Sequence, residues 1–193
     1  MEEILLIIDF GSQYTQLIAR KVRELNVCSE ILPFNKFNTS SIPKNVKGII
    51  LSGSPYSVNN TDAPTIDLSL IRDNVPLLAL CYGAQLIAHQ IGGKVDASDT
   101  REYGRSNLLL INNNNLFKGV KTSSQVWMSH GDTILALPNN VTVNASTDDV
   151  YVAAFTLNNE KTYGLQFHPE VYHTTYGKQI LSNFLVSICG FKQ

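Results

Sequence analysis

A cysteine, a histidine and a carboxylate can carry out nucleophilic catalysis together when the fold brings them within reach. The thiolate attacks, the imidazole moves the proton, and the acid orients the imidazole. Two stretches of this chain supply those groups. In Pro76-Leu-Leu-Ala-Leu-Cys81-Tyr-Gly-Ala-Gln85 an aliphatic run stops at Cys81, Gly83 and Gln85 follow at once, and Leu86-Ile-Ala-His-Gln-Ile91 reads as a helix. A buried strand that turns sharply into a helix at a nucleophile forms a nucleophile elbow. Such a turn lifts the sulfur above the sheet and sets it at a helix N-terminus, where the dipole favours thiolate. Gly83 leaves room for a close approach of strand and helix. The competing reading is a structural cysteine buried in a parallel strand.

The second stretch is Thr162-Tyr-Gly-Leu-Gln166-Phe-His168-Pro169-Glu170. A residue before proline is held extended, so His168 and Glu170 should project to one side with Pro169 opposite, as a base and its orienting partner. The competing reading is a surface turn with a half-buried His168 and a solvated Glu170. The chain order, cysteine then histidine then glutamate, differs from the nucleophile–acid–histidine order of α/β-hydrolases. His130, Asp132, His168 and Glu170 are residue types that bind metals, but neither pair has the i, i+4 spacing of a metalloprotease helix, so no metal is expected.

The elements that must position these residues follow from hydrophobic periodicity. Residues 4–8 form an aliphatic strand closed by Asp9, Gly11 and Ser12,. Residues 14–25 place Leu17, Ile18, Val22 and Leu25 on one helical face and Arg20, Lys21, Arg23 and Glu24 on the other,. Residues 27–32 and 48–51 read as strands, 33–47 as a loop or short helix, and 67–73 as a helix ahead of the strand that Pro76 opens. Aliphatic runs alternating with amphipathic helices indicate an α/β fold with a mainly parallel, flavodoxin-like open sheet flanked by helices. The second half changes character, with candidate strands at 94–95, 108–111, 125–128, 141–145, 152–155 and 162–167. These are expected to form an antiparallel extension. The asparagine run 112–115 reads as an exposed loop, and residues 176–189 close the chain as a helix. No repeat or long linker divides residues 1–193, so a single domain is expected.

The bulk properties narrow the function classes. The chain has 193 residues, 44% hydrophobic, with a formal net charge of −1, which gives no electrostatic case for nucleic-acid or anionic-membrane binding. Cys28, Cys81 and Cys189 lie far apart with no CxxC spacing, so neither a disulfide framework nor a zinc ribbon is expected, and a reducing cytoplasm is the expected setting. The acidic start and the shortness of the first apolar run argue against a signal peptide or membrane span.

Cys81-Tyr-Gly-Ala-Gln85 with His168-Pro-Glu170 resembles the triad-type, class I glutamine amidotransferases, and the likeness covers essentially the whole chain. Three further stretches are similar to the amidotransferase domains of GMP synthetases: Asp9-Phe-Gly-Ser-Gln-Tyr-Thr-Gln16, Arg101-Glu-Tyr-Gly104 and Val126-Trp-Met-Ser-His-Gly-Asp132. The resemblance implies a glutaminase half-reaction. Cys81 attacks the glutamine carboxamide, His168 protonates the departing ammonia and then activates water against the thioester, and Glu170 orients His168. It implies an oxyanion hole from the N–H of Tyr82 and one from the turn holding Gly53 and Ser54. It implies a grip on glutamine by Gln85 and the backbone of Ser129 and His130. The alternative for Ser129-His130-Gly131-Asp132 is a tight turn between strands.

The chain has neither a glycine-rich loop ending in Lys-Ser or Lys-Thr nor a pyrophosphatase-type Ser-Gly-Gly-x-Asp-Ser loop. No cofactor is therefore expected in this chain. The implied partner is an ATP-pyrophosphatase synthetase domain or subunit, which would use ATP and Mg to adenylate xanthosine monophosphate and receive the ammonia along a sealed path. The chain is then a free-standing subunit or an excised domain. Two positions depart from the family pattern. The usual Ser-Gly-Gly-Pro turn reads Ser52-Gly53-Ser54-Pro55, which would strain Ser54 if its φ must be positive. The glycine usual two residues before the nucleophile is Ala79, whose methyl would crowd the elbow. These departures imply low basal glutaminase activity until a partner reshapes the turn. They also keep two alternatives open: a catalytically weakened module that binds and regulates a synthetase, and an amidotransferase serving another acceptor.

Overall fold

The aliphatic runs become the strands of one nine-stranded sheet, ordered β2-β1-β3-β4-β9-β8-β7-β5-β6 among the described residues. The structure is a computed structural model that describes residues 2–72 and 74–192, without the side chains of residues 99–102. β1 (Ile4–Asp9), β2 (Ser29–Pro33), β3 (Val46–Leu51), β4 (Leu77–Leu80) and β9 (Thr162–Leu165) pair in parallel. β5 (Lys94–Leu110), β6 (Ser124–Ala136), β7 (Val141–Ser146) and β8 (Ala154–Leu157) extend the sheet by antiparallel pairing.

The central strands are apolar over most of their length, β4 throughout and β1 up to Asp9, because both of their faces are covered,. Leu5, Ile7, Ile50, Leu78 and Leu80 belong to the core beneath helix α1 (Thr15–Arg23) and the closing helix. Their neighbours Leu6, Ile8, Ile49, Leu51, Leu77 and Ala79 belong to the opposite core, with Leu86, Ile87 and Ala88 of helix α2 (Tyr82–Gln90). A two-residue period thus sorts an unbroken hydrophobic run onto two faces. Each fully buried Leu or Ile stabilises the fold by roughly 1.5–3 kcal/mol. α1 buries Ile18, Ala19 and Val22 and carries Arg20, Lys21 and Arg23 in its last turn, where cations suit the dipole,.

Four expectations need correction. No helix forms over the described part of 67–73. Residues 69–72 are turns, with Ile71 and Arg72 N–H both donating to Leu68 C=O, and Asp73 lies outside the described residues. Asp67 spends its carboxylate on Ser69, through both the backbone N–H and the hydroxyl, a local bond that competes with helix. Arg72 instead forks onto Glu160 at 2.7 and 3.0 Å and ties this segment to the β8–β9 connection. Next, the candidate strands at 94–95 and 108–111 are parts of one strand, β5, whose pairing with β6 slips between Ala97 and Glu102. β6 continues to Ala136, so Ser129-His130-Gly131-Asp132 lies within a strand and is not a tight turn. Last, the closing helix is not uniform: α3 (Gly177–Ser182) passes into a π-helical segment, Asn183–Ile188. There the buried Asn183 amide donates to Leu116 C=O and Lys118 C=O.

The asparagine run is exposed as expected, yet it is structured by its side chains. Asn114 Oδ1 accepts from the N–H groups of Leu116 and Phe117, and Asn112 Nδ2 donates to Val143 C=O.

Candidate active site

Cys81 stands between the end of β4 and the start of α2 with φ 50° and ψ −107°. A non-glycine residue rarely adopts this conformation, and such strain persists only where the surroundings enforce it. Here they do. Cys81 N–H donates to Leu165 C=O at 2.7 Å, and Gln85 N–H closes the first helical turn onto Cys81 C=O at 3.0 Å. Gly83 makes the turn possible, since a Cβ there would stand 2.7 Å from Leu51 Cβ and 3.1 Å from Leu51 O. Ala79 fits: it is fully buried in regular register with Leu51 and Gly164, and the elbow forms over its methyl.

β9 ends one strand over, and the chain runs on through Gln166 and Phe167 to His168. His168 and Glu170 project together as the proline argument requires, with His168 Nδ1–H donating to Glu170 Oε1 at 2.7 Å. Both are almost wholly buried, at 3% and 1% exposure, so the surface-turn alternative is excluded. Burial opposes the charged form of His168. The Glu170 carboxylate and the Cys81 sulfur, each through charge and hydrogen bonding, outweigh it and hold the imidazole well above the ordinary histidine range,. Glu170 Oε2 is buried without a hydrogen-bond partner among the described residues, so the carboxylate depends on His168 for compensation.

The loop carrying these groups is fastened on two sides. His168 N–H donates to Trp127 C=O of β6 at 3.0 Å, and Thr174 Oγ1–H donates to His168 C=O at 2.6 Å. Thr174 Oγ1 also accepts from Trp127 N–H. At Gly177 a Cβ would collide with the backbone carbonyl of Pro169, so α3 begins directly against the His-Pro-Glu segment. The Tyr14 ring stands tilted against the His168 ring, with centroids 5.0 Å apart.

A cleft of about 560 Å³ opens over the sulfur, lined among others by Gly53, Ser54, Gln85, Tyr103, Ser129 and His130. The Gly53 turn lies against Cys81 and His168: a Cβ at Gly53 would be 3.6 Å from His168 Cε1 and 3.7 Å from Cys81 Cβ. Ser52 Oγ accepts from Phe10 N–H and donates to Gly53 C=O at 2.8 Å. Because the peptide is planar and trans, the Ser54 N–H points away from Ser52. Ser54 does not adopt a positive φ, which corrects the expectation of strain there. Among the described non-glycine residues only Asn26, Cys81, Ser123 and Asn159 do. The Tyr82 side chain leaves the cleft, its hydroxyl donating to Pro64 C=O at 2.6 Å, so only its backbone N–H can serve the site.

β6 forms the far wall. The Cys81 thiol donates to Ser129 C=O at 3.5 Å. Asp132 C=O accepts from Gln85 Nε2 at 2.9 Å and from His130 Nδ1 at 2.7 Å. A carbonyl cannot donate, so the His130 proton resides on Nδ1, and the Gln85 amide is turned with its NH₂ inward. Asp132 Oδ2 is buried and has no hydrogen-bond partner among the described residues. Tyr103 and Gly104 pair with Ser129 and Met128, while the side chains of Arg101 and Glu102 lie outside the described residues. His130, Asp132, His168 and Glu170 do not gather into a metal-holding set among the described residues.

Sequence reasoning gave no role to Gln166, Tyr14 or Asp132 in this arrangement. A signal for Gln166 was present in its spacing, two and four residues before His168 and Glu170, although the chain bends at Gln166 and Phe167 and turns at Pro169 and Glu170. Tyr14 is far away in sequence, and only the folding of the 9–14 loop brings it to the imidazole.

An elbow cysteine, a buried His–Glu pair and a polar cleft at the carboxyl ends of parallel strands define an amidotransferase-type hydrolytic site. The chain belongs to the glutamine amidotransferase class-I family, whose model matches residues 6–188. It is 57% identical over its whole length to "GMP synthase [glutamine-hydrolyzing]" of Cytophaga hutchinsonii and 54% identical to its counterpart in Bacteroides thetaiotaomicron. The chain spans about 38% of the length of each of these relatives. Among solved structures it is similar to a Thermoplasma acidophilum protein provisionally assigned as a GMP synthase subunit. The TM-score is 0.85 at 32% identity, covering 98% of this chain and 94% of that one. A Thermotoga maritima glutamine amidotransferase shares the fold, with a TM-score of 0.74 at 20% identity, covering 97% of this chain and 85% of that one.

Proposed function

We propose that this chain is the glutaminase part of a GMP synthase, hydrolysing glutamine to glutamate and delivering ammonia to a synthetase domain or subunit. The observation that carries the chemistry is the strained Cys81 elbow beside a buried, charge-stabilised His168–Glu170 pair. Cys81 attacks the glutamine side-chain carbonyl as a thiolate, the proton of the pair being held on His168, whose charged form Glu170 favours. Nδ1 is held by Glu170, so Nε2 is the nitrogen that exchanges protons at the sulfur. The oxyanion is received by the N–H groups of Tyr82 and of the Gly53–Ser54 turn. His168 returns the proton to the leaving nitrogen, and ammonia departs. Water, deprotonated by His168, then attacks the thioester, releasing glutamate and restoring the thiolate.

The β6 wall supports the specificity. With both Gln85 amide protons donated inward, its Oε1 is left to accept from a ligand N–H. The backbone of Ser129 and His130 holds the amino-acid head. The acceptor chemistry belongs to the partner. An ATP-pyrophosphatase synthetase using ATP and Mg to activate xanthosine monophosphate is proposed from the names and greater length of the relatives. No cofactor is assigned to this chain, and a cytoplasmic setting is consistent with the three free cysteines. No helix of the described residues is long and apolar enough to cross a membrane. The binding-module alternative has lost its basis, because neither Ser54 nor Ala79 distorts the site.

The test is glutamate release by the purified chain, alone and with a GMP-synthase ATP-binding partner, ATP and xanthosine monophosphate. Partner-stimulated release that Cys81→Ala abolishes supports the proposal. Release unaffected by that substitution, or stimulated only by a different acceptor system, overturns it.

A further inference from the structure

Gln166 is buried at 1% exposure directly beneath the elbow. Its Oε1 accepts from Gln85 Nε2 at 3.3 Å, and its own Nε2 lies 4.0 Å from Cys81 Sγ. The direction of this chain of amides is fixed from its far end. Asp132 C=O, an obligate acceptor, requires the Gln85 NH₂ to face it,. The second Gln85 proton then faces Gln166 and requires an oxygen there. The Gln166 NH₂ is left to face the sulfur. Reversing any one amide would set two carbonyl oxygens or two NH₂ groups against each other in a buried site, where unmade bonds are costly.

The geometry points to Gln166 as a further catalytic residue of the proposed glutaminase reaction: its side-chain NH₂ stabilises the Cys81 thiolate. As a thiol, Cys81 donates to Ser129 C=O. When its proton passes to His168, that carbonyl no longer has a hydrogen to accept. Among the described residues, the side-chain amide turned on the sulfur is that of Gln166. The donor is in place before the charge forms, so no reorganisation is required at the moment of proton transfer. The same relay makes the β6 wall felt at the nucleophile, because Asp132 C=O holds Gln85 and Gln85 holds Gln166. This inference rests on the glutaminase reading for its purpose, but the thiolate can be observed without glutamine.

The experiment compares the parent chain with Gln166→Met, which keeps the volume and removes the donor, and Gln166→Glu, which turns an acceptor on the sulfur. Iodoacetamide alkylation of Cys81 is followed by peptide mass analysis from pH 5 to 10, with near-ultraviolet circular dichroism reporting the fold. In Gln166→Met the rate at neutral pH should fall about three- to ten-fold, the weight of one long charge-assisted contact. The profile should move to higher pH, kcat should fall in proportion, and KM should hold steady. Gln166→Glu should fall further. A folded Gln166→Met with the parent's alkylation profile overturns the inference. In the unaltered chain, the Gln166 side-chain amide resonances should titrate with the alkylation midpoint, and resonances insensitive to it would overturn the inference even if both variants misfold. A Gln166→Met profile shifted from the parent's, together with a parent that releases no glutamate, would sink the glutaminase reading and leave this one standing.

Discussion

In the parallel part of the sheet, β1, β3, β4 and β9 are only four to six residues long and are buried almost throughout. In the antiparallel part, β5 and β6 run for 17 and 13 residues and keep much of their length exposed or half-buried. The proposed catalytic groups Cys81, His168 and Glu170 follow strands of the first, and the proposed substrate wall belongs to the second. Short strands covered on both faces permit few alternative conformations, so their carboxyl ends can hold an enforced positive φ at Cys81 and a buried ion pair at His168–Glu170. A long two-stranded ribbon supplies what a grip needs instead, a run of backbone carbonyls and N–H groups in register beside the nucleophile. The two parts are joined where His168 and Thr174 bond to Trp127. The β5–β6 wall is fastened to the parallel part at Trp127 and again beside Cys81, where Gln85 Nε2 and the Cys81 thiol donate to Asp132 C=O and Ser129 C=O.

The deepest break falls in the parallel part. Cys81→Ala should lower glutamate release by at least about 10³-fold, since removing a nucleophile leaves only binding and oxyanion contributions. A steady-state assay checks this, with binding of glutamine retained. Glu170→Gln should cost on the order of 10²–10⁴ in kcat through loss of imidazole orientation and charge.

His168→Ala should destabilise the fold by about 3–5 kcal/mol in chemical denaturation near pH 7, because it strands Glu170 as a buried charge. The double variant His168→Ala/Glu170→Ala should recover much of that loss. A single variant as stable as the parent would show that the pair is not buried as described.

The pH dependence of that pair has a definite sign. The folded-state pKa of His168 is raised, so its contribution to stability is complete below the ordinary histidine value of about 6.5. The contribution is lost as pH rises through the raised folded value,. Parent minus Glu170→Gln stability should therefore shrink as pH is increased above neutrality, and a difference that grows with pH would contradict the assignment.

The smallest effect belongs to neither part. Arg72→Ala removes the fork onto Glu160, whose partners are 21% and 13% exposed. It should cost about 1 kcal/mol in thermal or urea unfolding and leave glutamate release unchanged.

The parallel part was also the more legible in the sequence. Unbroken aliphatic runs ending at Asp9, Ser52 and Cys81 mark buried strands whose ends carry polar residues, and the spacing of His168, Pro169 and Glu170 dictates which side each takes. The antiparallel part was less legible for a physical reason. Where one face of a ribbon is wet, residues such as Asp96, Ser98 and Arg105 give no hydrophobic period, and β5 reads as two short fragments. Segment 67–73 misleads differently, since its helical spacing is real but Asp67 and Arg72 find better partners in Ser69 and Glu160. At Ser54 the expected strain presumed a backbone conformation that the turn does not adopt, and at Gln166 the residue was visible while its amide partners were not.

The measurement closest to the central claim is intact-protein mass analysis of the chain, acid-quenched during turnover of glutamine. The account predicts a γ-glutamyl adduct that maps to Cys81, accumulates in Glu170→Gln if thioester hydrolysis is slowed most, and is absent in Cys81→Ala. Glutamate released at the parent's rate by Cys81→Ala, or an adduct mapping to Cys28 or Cys189 instead, would contradict it.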